Sequence, residues 1–240
     1  MAGSFEFTQG RRDLEKTAGI EELLSKIKGF VFDIDGTLTD SISSVIGCVG
    51  LAFDTEGLPH PEDDAVRATV GMKLEDALRT LLPPERKGEY LKFTDTYRSI
   101  FMSRPEFYEF RLFPGVLETV KKLKERGYKV SFVSGRQLKG IKRVLSTTGL
   151  EPFSDGATGG DEGPSKPDPA LMRIMCDRLG LEPSEVLGVG DAGMDAQMAH
   201  RAGAKALGVE SGVWSGEALL RLPDPPELLL PSAADLAKWL

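Results

Sequence analysis

The first regular pattern along this chain is helical. From Asp13 to Ile27 the apolar residues Ile20, Leu23, Leu24 and Ile27 recur at i, i+3, i+4 and i+7, the spacing of one amphipathic helix face. Residues 1–10 carry no such period and read as a flexible tail. Phe30-Val31-Phe32 is an unbroken apolar run entering Asp33-Ile34-Asp35-Gly36-Thr37, which predicts a buried strand that ends in a turn. Between 42 and 104 no strand pattern occurs. Ile42, Val45, Ile46, Val49, Ala52 and Phe53 share one helical face; Leu74, Ala77, Leu78, Leu81 and Leu82 share a second, stopped at Pro83-Pro84. Tyr90, Phe93, Thr94, Tyr97, Ile100 and Phe101 form a third, halted by Pro105.

After Pro114-Gly115 helical and strand patterns alternate. Helices are expected over 116–126, 138–148, 169–180, 194–203 and 216–221, and strands over Lys129–Val133, weakly near Ala157, over Val186–Val189 and over Lys205–Val209. Strands separated by helices of this length indicate βαβ units and a parallel sheet. The chain therefore predicts an α/β fold: a Rossmann-like parallel sheet flanked by helices, built from residues 1–41 and 111–240. An all-helical unit, 42–110, is inserted after its first strand. Residues 151–169, dense in Gly and Pro, read as an extended loop.

Composition narrows the function. With 240 residues the chain can bury a substantial core without disulfides or a structural metal. Its 30 basic and 37 acidic side chains leave a net charge of −7, a poor match for nucleic acid or an anionic membrane. Two cysteines, Cys48 and Cys176, are too few for a disulfide framework, and two histidines, His60 and His200, argue against a His-rich metal site. No apolar run is long enough for a membrane span or a signal peptide, so a cytoplasmic protein is expected.

The chemistry lies in where polar residues fall relative to the strands. In parallel α/β sheets ligands bind beyond the carboxyl ends of the strands. Asp33 and Asp35 end the first strand, Ser134 the second and Asp191 the Val186–Val189 strand, with Asp195 four residues on and Lys166 in the loop after the weak strand. Alternation would point Asp33 and Asp35 to the same side if the chain stays extended. Four carboxylates, a hydroxyl and an ammonium would then face one crevice. Carboxylates so close repel one another unless a cation joins them, and oxygen-only donors favour Mg²⁺. Mg²⁺ with Lys166 and Ser134 makes a place for a phosphate dianion. One remaining carboxylate can act as nucleophile and another as general acid and base; spacing alone does not say which is which.

These residues carry a resemblance. Asp33-Ile34-Asp35-Gly36-Thr37-Leu38-Thr39-Asp40-Ser41 resembles the first motif of the haloacid dehalogenase superfamily in its phosphatase form. Ser134-Gly135 resembles the second, Lys166 in Ser-Lys-Pro-Asp-Pro the third, and Gly190-Asp191-Ala192-Gly193-Met194-Asp195 the fourth. The helical insertion is similar to the cap of the phosphoglycolate phosphatase and β-phosphoglucomutase branch. The resemblance implies Asp33 as nucleophile and Asp35 as general acid/base. Mg²⁺ would be held by Asp33, the Asp35 carbonyl and Asp191, with Asp195 as a further ligand. Ser134, Gly135 and Lys166 would bind the phosphoryl group, with Thr37 ordering the turn through its hydroxyl. The second Asp of the first motif, which dehalogenases proper lack, points to phosphate chemistry.

Competing readings bound this one. Asp-x-Asp-Gly is a common turn string, but a carboxylate directly after Phe-Val-Phe is costly without a partner. Gly188-x-Gly190-x-x-Gly193, with Glu210 downstream, matches the dinucleotide fingerprint; Asp191 and Asp195 would repel a pyrophosphate there, so these glycines are expected to serve a tight turn instead. The resemblance also implies substrate contact around Thr69-Val70-Gly71, which makes Arg67, Met72 and Lys73 candidates, and a cationic residue there could hold a second anionic group. Cys48 and Cys176 read as packed thiols, His200 as structural, and Trp214 and Leu228–Leu230 as packing. The expected partner is a small phosphorylated metabolite, on a monomer or homodimer. A phosphomutase, a phosphonate hydrolase using a cap lysine such as Lys73, and an aspartate-phosphorylated signalling module are the alternatives.

Overall fold

The apolar run near the amino end becomes the centre of a sheet. In a computed structural model, which describes residues 20–240, β1 (Gly29–Phe32) pairs in parallel with β2 (Lys129–Ser134) on one side and β4 (Val186–Gly190) on the other. With β3 (Gly156–Gly159), β5 (Lys205–Val209) and β6 (Leu228–Leu230) the order is β3-β2-β1-β4-β5-β6, all parallel. Side chains of β1 alternate between the sheet's two faces. Phe30 and Phe32 join one apolar cluster with Val120, Leu123 and Ile141, while Val31 joins another with Leu171, Met172 and Met175. That double burial is why the run is apolar without alternation.

The helices follow the predicted spacing closely. After the insertion come α5 (Val116–Glu125), α6 (Leu138–Thr148), α7 (Ala170–Leu179), α8 (Gly193–Ala202) and α9 (Gly216–Leu220). Of the helix expected over 13–27, residues 20–26 are helical and 13–19 lie outside the described residues, as does the tail over 1–10. Ile20, Leu24 and Ile27 are buried in the main core, so this stripe docks on the sheet domain. Leu228–Leu230, read as packing, forms the edge strand β6 on β5: three residues after Pro225-Pro226 are too short to display a period. The stretch 151–169, read as a loop, contains β3 and a 3₁₀ turn at Glu151–Phe153.

Residues between β1 and β2 form a separate helical layer with its own core. It comprises α1 (Ile42–Thr55), α2 (Asp63–Arg67), α3 (Leu74–Leu81) and α4 (Tyr90–Ser103), with a 3₁₀ turn at Pro84–Glu89. Phe53, Leu78, Leu82 and Phe93 are fully buried there, with Cys48 packed among them. The strands of chain entering and leaving this layer run antiparallel: the Asp40 N–H donates to Arg111 O and the Phe113 N–H to Leu38 O, both at 2.9 Å.

Candidate active site

The strand order reverses between β1 and β4, the position at which such sheets bind ligands. Asp33 extends β1 by one rung, its N–H donating to Val189 O at 2.8 Å, and Asp191 follows β4 directly. Lys166 arrives from the loop after β3 and is fully buried. Its Nζ donates to Asp33 Oδ1 at 2.5 Å and to Asp195 Oδ1 at 2.7 Å. Carboxylate oxygens of Asp33, Asp191 and Asp195 all lie within 4.8 Å of one another, and all three residues are buried. Four of the six residues expected to face one crevice thus meet at one point.

Local structure fixes each of them. Asp195 sits in the first turn of α8, where its Oδ2 accepts the Ala192 N–H at 3.1 Å and so caps the helix. Asp191 accepts from the Thr37 hydroxyl at 2.7 Å on Oδ1 and from the Val213 N–H at 2.8 Å on Oδ2. The Thr37 hydroxyl therefore ties the first motif to the fourth instead of bonding within its own turn. That turn is closed by backbone bonds from Leu38 and Thr39 to Ile34 O, and Gly36 supplies a left-handed φ of 86°. α7 starts one residue later than expected, and Asp168 Oδ1 accepts from the Ala170 N–H at 2.9 Å at its first turn.

The glycines of the fingerprint do something other than turn. None of Gly188, Gly190 or Gly193 has a positive φ. A Cβ on Gly190 would lie 2.3 Å from Asp195 Cγ, and one on Gly188 would lie 2.9 Å from Met172 Cε and 3.0 Å from Ala199 Cβ. Gly188 and Gly190 let α8 and Asp195 press against β4, whereas Gly193 makes room for the Trp214 ring.

Electrostatics inside the cluster are unbalanced. Burial pushes the Asp33 carboxyl well above its ordinary range; Lys166 opposes this, and the charges of Asp195, Asp191 and Asp35 add to it. Burial and the Asp195 charge push Asp191 up to about 7 against the bonds from Thr37 and Val213. Burial works against the charge on Lys166, but Asp195 and Asp33 outweigh it and hold the ammonium above its ordinary value. Three carboxylates share a single ammonium, and their donors are all oxygen. Such a set fits a hard divalent cation, whose charge would offset both the burial and the mutual repulsion that raise the two acids.

Asp35 departs from the expected grouping. Its carboxylate turns away from the cluster into a two-armed pairing with Arg136, and Oδ1 also accepts from the Ser41 hydroxyl at 2.5 Å. Burial disfavours the ionised form, but the Arg136 charge and the bonds from Arg136 and Ser41 hold Asp35 below the usual carboxylate range. Arg136 and Ser41 were not predicted from the sequence. Arg136 lies two residues beyond Ser134 at the carboxyl edge of β2, and the strand-end rule that found Ser134 extends to it. Ser134 is buried, its Oγ accepting from the Arg136 N–H at 3.2 Å.

The helical layer closes over this edge. The Lys73 N–H donates to Ser165 Oγ at 2.9 Å, and Met72 O lies so near Gly135 that a Cβ there would be 2.0 Å away. Beside it, between α1, α3, α4 and the start of α6, lies a cavity of about 430 Å³ that reaches Asp35, Ser134, Gly135 and Arg136. Met72 lines this cavity, Lys73 lines a smaller neighbouring one, and Arg67 lines neither.

Comparison with known proteins places this architecture. A family model described as haloacid dehalogenase-like hydrolase matches residues 30–209. A phosphoglycolate phosphatase of Haemophilus influenzae is 31% identical over 189 residues, covering 75% of this chain and 84% of that protein. A haloacid dehalogenase-like family hydrolase from Streptococcus pneumoniae superposes with a TM-score of 0.77 at 22% identity, covering 90% and 99% of the two chains. A β-phosphoglucomutase from Clostridium difficile does so with a TM-score of 0.75 at 19% identity, covering 88% and 93%; at these identities both structures speak to the fold alone. The chain belongs to the haloacid dehalogenase-like hydrolases. Within that family it stands with the phosphatases. Among the described residues, no helix is long and apolar enough to cross a membrane.

Proposed function

We propose that this chain is a Mg²⁺-dependent phosphatase that hydrolyses a small phosphorylated metabolite through an aspartyl-phosphate on Asp33, with residues 42–110 acting as its cap and the cytoplasm as its compartment. The observation that carries the reading is the placement of Asp33: buried at the end of the central strand, 2.5 Å from Lys166, and beside Asp191 and Asp195. Asp33, the Asp35 carbonyl and Asp191 would hold Mg²⁺, with Asp195 completing the acidic set. When bound, the ion supplies neutralising charge for the phosphoryl oxygens and for Asp33.

The chain's own groups divide the work. An Asp33 carboxylate oxygen attacks phosphorus and the bond to the leaving oxygen breaks. Lys166 and the Ser134 hydroxyl neutralise and orient the phosphoryl oxygens where charge is transferred. Asp35 gives a proton to the leaving oxygen and takes one back from the water that later attacks phosphorus, returning free Asp33 and inorganic phosphate. The pairing with Arg136 keeps Asp35 ionised, the form suited to the second half; donation in the first half requires that pairing to open. The closed cap keeps bulk water from Asp33 during the first transfer.

The test is release of inorganic phosphate from a panel of phosphomonoesters by the purified chain with Mg²⁺. Multiple turnovers that EDTA stops and Asp33→Asn abolishes are expected. A single stoichiometric phosphorylation would instead favour the signalling reading, and an isomerised sugar phosphate the mutase reading.

A further inference from the structure

The cavity under the cap has the wrong chemistry for a small carboxylate. Its walls away from the sheet are Val45, Val49, Leu78, Tyr97, Phe101 and Phe110, and its volume of about 430 Å³ excludes the nest around Asp33, Lys166, Asp191 and Asp195. That volume lies in the range that takes drug-sized ligands, well beyond a two-carbon leaving group. Asp35 and Ser134 line its inner end, so an ester whose phosphorus sits at Asp33 would extend its leaving group into it.

An anionic leaving group would need a cation, and those facing the cavity from the cap and the core are mostly engaged. Arg136 is held on both arms by Asp35 at 2.7 Å, and its guanidinium also lies 5.1 Å from the centre of the Phe110 ring. Arg98 Nη2 donates to Glu75 Oε1 at 2.6 Å. Arg143, half-buried, lies 4.1 Å over the Tyr108 ring, and its Nη1 donates to Met102 Sδ at 3.3 Å. Lys139, exposed on α6, is the remaining cation of the lining. Beyond the Asp35–Arg136 pair at the inner end the walls are largely apolar, an arrangement that rewards burial of hydrocarbon.

We propose that the preferred substrates are phosphomonoesters of bulky, largely apolar alcohols, branched alkyl or arylalkyl, and not of short hydroxy acids such as glycolate. The proposal rests on the phosphatase reading above. The step is the same hydrolysis: the phosphorus–oxygen bond to the leaving alkoxide breaks, the Asp33–phosphorus bond forms, the proton passes to the leaving oxygen, and the apolar alcohol departs through the cap.

A homologous series isolates the cavity, because leaving-group basicity hardly changes along it. The full chain with Mg²⁺ is assayed for phosphate release from ethyl, butyl, hexyl and benzyl phosphate and from 2-phosphoglycolate. kcat/KM should rise by about fourfold per added methylene while the chain remains within the cavity, with benzyl phosphate well above ethyl and 2-phosphoglycolate below butyl. Val45→Lys, which puts an ammonium on the apolar wall, should flatten the series at least tenfold and raise 2-phosphoglycolate relative to hexyl phosphate. A flat series, or 2-phosphoglycolate as the best ester, would overturn the apolar-substrate proposal and leave the phosphatase reading intact. No phosphate release from any of the five would overturn the phosphatase reading itself.

Discussion

Arg136 and Asp35 form a two-armed ion pair, with Nε to Oδ2 and Nη2 to Oδ1 both at 2.7 Å and the guanidinium 5.7 Å from the centre of the Phe101 ring in the helical layer. One side chain thus holds the second aspartate of the first motif and touches the helical layer above it. Replacing Arg136 by Ala strands a buried carboxylate, a loss of about 3 kcal/mol in urea denaturation. It also frees Asp35 to leave its orientation, which should lower kcat/KM by about a hundredfold. Arg136→Lys restores the charge without the planar fork, so it should recover stability better than activity. Equal recovery of both would argue against an orienting role.

Asp33→Asn should remove turnover, by at least about a thousandfold as expected for loss of a covalent nucleophile, without lowering the melting temperature. The carboxylate sits in excess negative charge, and Lys166 keeps Asp195 as its partner. A mutant that melts well below wild type would show that Asp33 stabilises the fold and would weaken its assignment as a strained, functional acid.

Asp191 connects metal binding to pH. In the metal-free fold its carboxyl is pushed up to about 7, whereas in the unfolded chain it ionises near the ordinary value of about 4. The folded state therefore holds the extra proton between these values. Stability of the metal-free protein from this group is greatest below that window and declines as pH rises through it. Mg²⁺ must displace the proton, so its apparent affinity should weaken by about tenfold per unit as pH falls below 7. Calorimetric titration in buffers of different ionisation enthalpy reads the proton release; no release near pH 6 contradicts the assignment of Asp191 as a ligand.

Thr37→Val removes the hydroxyl that fixes Asp191 Oδ1 but keeps the shape. Loss of such an outer contact weakens metal affinity by about tenfold. An activity that is restored by raising Mg²⁺ would mark this role, whereas unrestored activity would place Thr37 elsewhere in the reaction.

Gly135→Ala tests cap closure. The added methyl would meet Met72 O at 2.0 Å, so the loop at 71–73 must lift from the core edge. A decline in kcat with the sheet domain's stability intact is expected; wild-type turnover would mean the closed contact is dispensable.

Much of this was legible because burial imposes a pattern. Phe30-Val31-Phe32 is apolar on both sides of the sheet, and the acids that interrupt such runs stand out as anomalies at strand ends. The pocketing of Asp33, Asp191, Asp195 and Lys166 followed from where strands stop. Less accessible was anything set by side-chain direction. Alternation would aim Asp35 with Asp33, but the ladder ends at Asp33 and the turn redirects Asp35 to Arg136 and Ser41. Gly188 and Gly190 look in sequence like turn formers, and only packing reveals that their missing Cβ atoms are what α8 needs. Arg67 was placed near substrate by resemblance alone, yet the cavity is walled by residues of several other helices that no local pattern brings together.

The two connecting segments that enter and leave the helical layer lie side by side, joined by the Asp40–Arg111 and Leu38–Phe113 backbone bonds. An excursion whose ends already touch asks nothing of the host sheet and little chain entropy for its length. Substrate choice can therefore diverge by exchange or drift of that excursion alone, and grafting 42–110 from a relative onto this scaffold should transplant preference while the phosphoryl-handling floor stays as it is.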